Sequence, residues 1–372
     1  IAAAIEAAPP ADEVPMNDDL VEAVDPREEY VACASALASG EASAREDLRI
    51  VLTAMHGVGA AITSRVLAEA GFSNVSLVEA QAQPDPDFPT VPFPNPEEAG
   101  ALDMAIEQAR EQGADLIIAV DPDADRCALA VPDPSSETGW SPLSGDQTGS
   151  LLGEFLASRG MRGSLANSIV SSRLLSRIAH AHGLEHHTTL TGFKWIARAP
   201  GLGFGYEEAI GFCPDPAHVR DKDGIATSVV AASLVAALKA QGRSVWDELE
   251  RLARLHGLHV SSPLTFRVEE IEQIASGMAR LRAQPPSVLA GSPVVEVSDL
   301  SQGYRGLPPT DGVLVLTEAG DRVIARPSGT EPKLKCYLEV ILPVTEGEPL
   351  PWEQAHERLD AIKGAFAEII GL

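Results

Sequence analysis

Two apolar runs, RIVLTAM at 49–55 and DLIIAV at 115–120, constrain this chain more than any other feature. A strand with one wet face alternates apolar and polar residues. These runs do not alternate, so both of their faces must be covered by other parts of the protein. The intervals between them carry helical patterns: 27–39, the stretch from the HGVGA turn to about Ala70, and 97–112. A strand at 75–79 and a Pro-rich loop at 84–96 lie among them. Buried strands separated by helices predict a parallel, doubly wound sheet.

A second unit opens near Ser144 with the helix GDQTGSLLGEFLASR, the strand LANSIV and the helix SRLLSRIAHAHG. The short strands HTTL and GFGYE follow, then the long helix DKDGIATSVVAASLVAALKAQG. Near Val260 the pattern changes. PLTFRVEE is a strand, IEQIASGMARLRAQ a helix, and PVVEVSD, GVLVLTE, DRVIARP and KLKCYLEVIL are strands before the closing helix WEQAHERLDAIKGAFAEII. Strands in succession flanked by helices indicate α+β. The expected fold class is therefore two consecutive α/β domains with mainly parallel sheets, followed by a smaller α+β C-terminal domain. The boundaries fall at 16–143, 144–259 and 260–372, after a helix end and acidic linker at 1–15. A chain of 372 residues accommodates that many units.

Charge narrows the function. Lys and Arg number 28 against 54 Asp and Glu, a net charge of −26. That field repels phosphate backbones and anionic membrane surfaces, so neither nucleic acid nor membrane is expected as a partner. An anionic ligand needs a local basic pocket. The four cysteines are widely spaced, with no zinc-type cluster, which suits a reduced protein of the cytoplasm. No apolar run reaches the length of a membrane span, and the opening stretch lacks the basic flank of a signal peptide.

Directly after DLIIAV comes Asp121-Pro122-Asp123-Ala124-Asp125-Arg126. Three carboxylates at alternate positions, at the C-terminal end of a parallel strand, stand where α/β sheets bind ligands. Hard oxygen donors in a tight loop suit Mg²⁺, and Arg126 adds a fork of donors for a phosphate. An EF-hand also begins D-x-D-x-D. Its sixth position requires Gly and its twelfth Glu, whereas this chain has Arg126 and Pro132, so that alternative fails. A solvated acidic turn is the plain alternative. In the last domain, Arg326-Pro327-Ser328-Gly329-Thr330 with Lys333 and Lys335 offers hydroxyls, a turn and cations for one phosphate, against an ordinary turn with scattered bases. In the middle domain, Gly192 and Lys194 mark a turn with a cation, and Glu207 and Glu208 put carboxylates where sugar hydroxyls could donate to them. Lys222 precedes the long helix that Asp223 could cap.

Other features carry less. His56-Gly57-Val58-Gly59 resembles a phosphate turn but lacks its Lys and its full glycine fingerprint, so it reads as a tight strand–helix junction. His180, His182, His186 and His187 look like a metal set, yet the adjacent pair would point to opposite faces of a strand. Ser144, Ser171 and Ser172 sit in no nucleophile elbow.

DPDADR, TGFKWI, GYEEAIGF, VRDKDG and RPSGTEP occur in that order. Together they resemble the α-D-phosphohexomutase superfamily, in its phosphoglucomutase/phosphomannomutase branch, over nearly the whole chain. LTAMHGVG resembles the opening of that family's second domain, and IAAAIEAA the close of its first. The resemblance implies four domains, the first carrying a phosphorylated serine in a segment like TASHNP. No such segment occurs in the 372 residues, so the chain is expected to correspond to domains two, three and four.

The resemblance also implies roles. Asp121, Asp123 and Asp125 would ligate Mg²⁺, and Arg126 would touch the phosphoserine phosphate. Glu207 would read the sugar. Ala209 stands where many members have Ser and so removes one hydroxyl from that loop. Gly192 and Lys194 would form a substrate loop, and Lys222 would be a cation in acid/base work or on a phosphate. Arg326, Ser328, Gly329 and Thr330 would grip the phosphate that is not transferred. The implied reaction interconverts hexose 1-phosphate and hexose 6-phosphate, of glucose or mannose, through a hexose 1,6-bisphosphate. Without the serine, the chain alone is expected to be inert. Two rivals remain: a non-catalytic sugar-phosphate-binding protein, and a Mg²⁺-dependent phosphatase or glycosyltransferase. The aspartyl type of phosphatase wants Thr or Val where Asp125 stands.

Overall fold

The computed structural model describes residues 2–268, 270–327 and 332–371, Ala2 by its backbone alone. In the first unit, β1 (Arg49–Thr53) lies between β2 (Asn74–Leu77) and β3 (Leu116–Val120), parallel to both. Strands β4 (Cys127–Pro132) and β5 (Trp140–Pro142) extend the sheet antiparallel, giving the order β2-β1-β3-β4-β5. Helices α1 (Ala2–Glu6), α2 (Arg27–Ser35), α3 (Ala42–Asp47), α4 (Ala60–Glu69) and α5 (Asp103–Gln112) belong to the same stretch. Every residue of β3 is buried, as its unbroken apolar run requires.

Parallel strands hold the centre of this sheet, and antiparallel β4 and β5 its edge. The six residues of the acidic loop are too few for the crossover that a parallel return needs, so the chain doubles back as β4. The helix expected from Glu97 begins only at Asp103. Gly100 sits at φ 83°, a left-handed conformation that interrupts a helix, and 97–102 form turns instead.

The middle unit holds α6 (Gly145–Ser158), β6 (Ser164–Ser168), α7 (Leu174–Ala181), β7 (His186–Thr189), α8 (Phe193–Ile196), β8 (Leu202–Glu207), β9 (Gly211–Cys213), α9 (Gly224–Ala240) and α10 (Val245–His256). Its sheet runs β7-β6-β8-β9, with β6 parallel to both neighbours and β9 returning antiparallel. Helix α6 starts with a reciprocal capping box between Ser144 and Gln147. It lies unusually close to β8: a Cβ on Gly149 would meet the Tyr206 ring at 2.5 Å.

Helix α9 is apolar nearly all round, and it serves two units. It packs on α3, α4, β3 and β4 of the first as well as on α6 and β9. Tyr30 donates to Asp223 Oδ1 at 2.7 Å, Ser233 Oγ accepts from Ser39 N, and Lys239 pairs with Asp115 at 2.9 Å. One continuous hydrophobic core therefore runs through both α/β units.

The C-terminal unit comprises β10 (Leu258–Arg267), α11 (Ile271–Ala283), β11 (Val288–Leu289), β12 (Ser292–Asp299), β13 (Val313–Thr317), β14 (Arg322–Pro327), β15 (Lys333–Leu342) and α12 (Trp352–Ile370). Its sheet, β10-β15-β14-β13-β12-β11, is antiparallel throughout and has its own core with α11 and α12.

A buried ionic joint fixes this unit on the middle one. Glu339 accepts from Ser172 Oγ at 2.7 Å, from Arg173 N and Nε at 2.8 and 2.6 Å, and lies 3.1 Å from His259 Nδ1. Arg322 lies 3.3 Å from Glu339 and donates to the carbonyls of Ile169, Val170 and Ser171. Burial alone would push the Glu339 carboxyl up, but Arg322, His259 and Arg173 hold it well below the usual range. Its stabilising charge is thus present above the ordinary carboxylate range and lost as pH falls through the depressed value. Glu339→Gln should leave Arg322 buried without its full counter-charge and cost about 3 kcal/mol. The measurement is urea unfolding at pH 7 with hydrogen exchange along β10 and β15. An unchanged midpoint together with unchanged exchange would refute the joint.

Candidate active site

The acidic loop begins where β3 ends. Asp121 turns back on its own loop: Oδ1 accepts from Arg126 N at 2.9 Å and Oδ2 from Arg126 Nε at 2.7 Å. Ala124 is left-handed at φ 59°, and its N–H closes the turn on the Asp121 carbonyl at 2.9 Å. This curl brings carboxylate oxygens of Asp121, Asp123 and Asp125 within 4.8 Å of one another. Asp121 is buried, Asp123 exposed and Asp125 between the two. Burial pushes the Asp121 carboxyl up, and the bonds from Arg126 oppose it. Three hard oxygen donors at this spacing suit a small divalent cation. Among the described residues this is the one group of three or more such ligands. His186 instead lies 3.0 Å by its Nε2 from Asn167 Oδ1 in the middle sheet.

The loop is pressed from three sides by backbone. Val58 N donates to the Pro122 carbonyl at 2.9 Å, and a Cβ on Gly57 would come within 2.4 Å of Pro122 Cα. Met55 and His56 are both left-handed, at φ 46° and 63°. The His56 side chain meets Thr90 Oγ1 at 2.8 Å. The HGVG segment is thus a tight junction buttressing the acidic loop. On the second side, Gly224 at the start of α9 donates to the Ala124 carbonyl, and its missing side chain leaves room for the Arg126 carbonyl. On the third, Arg126 forms a β-bridge with Gly211, and Cys127 N donates to the Ile210 carbonyl at 3.1 Å.

That third contact joins the acidic loop to the β8–β9 hairpin. Glu207 ends β8, and Lys222 approaches from the segment before α9. Both side chains converge over Gly211, where an added Cβ would lie 2.6 Å from Lys222 Cδ and 3.1 Å from Glu207 Cγ. Lys222 Nζ pairs with Asp125 at 2.8 Å and sits 5.5 Å above the Phe193 ring. Burial, and secondarily the charge of Glu208, push the Glu207 carboxyl up to about 7. Gly192 adopts φ 99° at the start of α8, and Lys194 is exposed on that helix. Phe193 between them links the turn to Lys222.

Arg326 lies on β14, registered opposite Lys335 of β15. Ser328, Gly329 and Thr330 fall outside the described residues. Two groups escape the sequence reading. Tyr337 on β15 feels the charges of Glu208, Arg326 and Glu207. Its phenol is pushed up, mainly by burial. Glu97 in the Pro-rich loop feels Arg126, Glu208 and Lys335, and burial raises its carboxyl. Glu97 therefore lies within reach of Arg126 of the acidic loop, and both groups lie within reach of Glu208 in the hairpin. Tyr337 could have been found by its two-residue spacing from Lys335, which puts both on one face of β15. No local pattern marks Glu97.

Three sequence models of one family match successive parts of the chain: phosphoglucomutase/phosphomannomutase α/β/α domain II at 28–135, α/β/α domain III at 144–255, and the C-terminal domain at 266–341. The chain belongs to the phosphoglucomutase/phosphomannomutase family. It is 44% identical over 328 residues to the Haemophilus influenzae protein named probable phosphomannomutase, covering 88% of this chain and 65% of that one. It is 36% identical over 320 residues to a Staphylococcus haemolyticus phosphoglucomutase, covering 80% and 58%. The chain thus spans about three-fifths of the length of these relatives.

Solved structures of the family share its fold. The pp63/parafusin phosphoglucomutase of Paramecium in its open form superposes with a TM-score of 0.69 at 19% identity, over 95% of this chain and 64% of that one. A family protein from Burkholderia thailandensis gives 0.68 at 18%, over 94% and 65%.

A raised carboxyl weakens the folded state once it ionises. Glu207→Gln should therefore stabilise the protein at pH 8 by roughly 1–3 kcal/mol, since a tenfold change in proton affinity on folding corresponds to about 1.4 kcal/mol. The gain grows as pH rises from about 4.5 to about 7 and vanishes below that window. Thermal melts at pH 4 and pH 8 test this, and equal changes at both would refute it.

Proposed function

We propose that this chain is the metal-, sugar- and phosphate-binding part of a phosphohexomutase, an isomerase that interconverts hexose 1-phosphate and hexose 6-phosphate of glucose or mannose. The observation that carries the proposal is the convergence of the acidic loop, Lys222 and Glu207 over Gly211. The three carboxylates fit Mg²⁺, and Asp121, Asp123 and Asp125 would hold it. When bound, that ion would neutralise charge on a phosphoryl group.

The chain's own residues would do the rest. Arg126, held by Asp121, would present its remaining N–H groups to the transferring phosphate. Glu207 would accept from sugar hydroxyls, with Lys222 beside it as the cation at the transfer end. Gly192 and Lys194 would border the sugar. Arg326, with Ser328, Gly329 and Thr330, would grip the other phosphate. A hexose 1,6-bisphosphate formed there could turn over and present either end, because the grip recognises a phosphate and not a ring position. Preorganised cations supply most of the stabilisation such a transfer needs. The phosphoryl donor in this reading is a phosphoserine in a TASHNP-like segment, which the 372 residues do not contain. The chain alone should then bind its ligands without turning them over. The reaction belongs in the cytoplasm, where hexose phosphates and reduced thiols coexist.

Calorimetry on residues 1–372 tests the two ends separately. Asp123→Asn should weaken Mg²⁺ binding at least about tenfold, the loss of one charged ligand. Arg326→Ala should weaken glucose 6-phosphate binding by about 1.5–3 kcal/mol, the weight of a charge-assisted hydrogen bond. Parent-like affinities would remove the metal and phosphate assignments respectively. Steady release of inorganic phosphate from glucose 1-phosphate would replace this reading with a phosphatase.

A further inference from the structure

The turn between β8 and β9 has three residues, Glu208, Ala209 and Ile210, between the paired Glu207 and Gly211. Such loops place their last residue in the left-handed region, where glycine is usual. Here it is Ile210, at φ 54° and fully buried. A β-branched residue in that conformation is strained, and strain of this kind persists only where the surroundings hold it.

The holding groups are identifiable. The Ile210 carbonyl is taken by Cys127 N. Gly145 at the start of α6 leaves space for the Glu208 backbone, since a Cβ there would overlap the Glu208 carbonyl. The side-chain anchor is Glu208. Its Oε2 accepts from Ser168 Oγ at 3.0 Å and from Ser171 Oγ at 2.9 Å, and Ser171 Oγ accepts in return from Glu208 N at 3.2 Å. The two hydroxyl oxygens lie 2.8 Å apart. Glu208 is therefore engaged with Ser168 at the end of β6 and with Ser171 in the loop that follows it. Arg322 of β14 holds that same loop by the carbonyls of residues 169, 170 and 171.

We infer that Glu208 is a positioning residue for sugar recognition: by clamping the strained hairpin to the 168–171 loop, it sets the direction in which Glu207 faces the cleft. The inference rests on the proposed sugar-phosphate reading of the site. Its effect on the sugar passes through Glu207. Glu208→Gln keeps a carbonyl that both serine hydroxyls can reach. Glu208→Ala removes the clamp.

The test is calorimetric binding of glucose 6-phosphate and of inorganic phosphate to residues 1–372 with Mg²⁺, paired with hydrogen exchange at residues 207–211. Glu208→Ala should weaken glucose 6-phosphate about tenfold, the weight of a hydrogen bond to a charged group. It should leave inorganic phosphate unchanged and speed exchange in the hairpin. Glu208→Gln should restore most of the affinity, and Ser171→Ala should give a smaller loss of the same kind. In a Glu207→Ala background, Glu208→Ala should cost nothing further. An equal loss in that background, equal weakening of inorganic phosphate, or unchanged affinity and exchange would overturn the inference. A parent chain with no affinity for glucose 6-phosphate would instead overturn the functional reading, and this one with it.

Discussion

The carboxylate of Asp121 binds the backbone and side chain of Arg126, five residues further on. With both its oxygens engaged, the chain leaving β3 must curl, and the curl gathers the other two carboxylates. It also aims the Arg126 backbone at Gly211, so the hairpin carrying Glu207 is registered against the acidic loop by a β-bridge. The start of α9 is set by the same turn, through Gly224 and the Ala124 carbonyl. Lys222 lies two residues before that start. Loosening Asp121 would disturb the positions of Glu207 and Lys222 together.

Electrostatics divides the molecule into a field and an exception. The overall charge is −26, yet Arg126, Lys222, Arg326 and Lys335 come from three units to one region. Two acidic residues there are closely countered: Asp121 by Arg126 and Asp125 by Lys222. Among the described residues Glu207 has no such close pairing, and burial raises its carboxyl. An anion entering would meet cations already partly spent on carboxylates. A divalent ion on the acidic loop would compete with those cations for the same oxygens.

Much of this is readable in the chain. The run LIIAV followed by alternating aspartates gives away both a buried strand and the place where its end must bind something. Glu207 and Lys222 stand out as motif residues, but their convergence depends on Gly211 and Gly224, whose value lies in what they let approach. Strand β4 is hard to read because the loop before it, Asp121 to Arg126, reads as a ligand loop, and only its shortness shows that the chain doubles back there. The helical pattern from 97 misleads because Gly100 reads as a residue inside a helix, whereas it is the boundary. Tyr337 sits on an expected strand, but which face meets the cleft is decided by the contacts of Glu339 and Arg322 with residues 169–173, far away in sequence. Ser328, Gly329 and Thr330, expected to grip a phosphate, lie outside the described part of the structure.

Helix α9 complicates any attempt to take the molecule apart. It follows the whole middle sheet in sequence, yet it roofs β3 and β4 of the first. A fragment ending near 143 would lose that roof and expose Cys127, which meets Ser228 of α9 at 3.7 Å, together with the apolar faces around it. Modularity in this protein is thus a property of its sheets and not of its sequence segments. The chain closes its first layer only after completing the second, so the two have to mature as a single cooperative body.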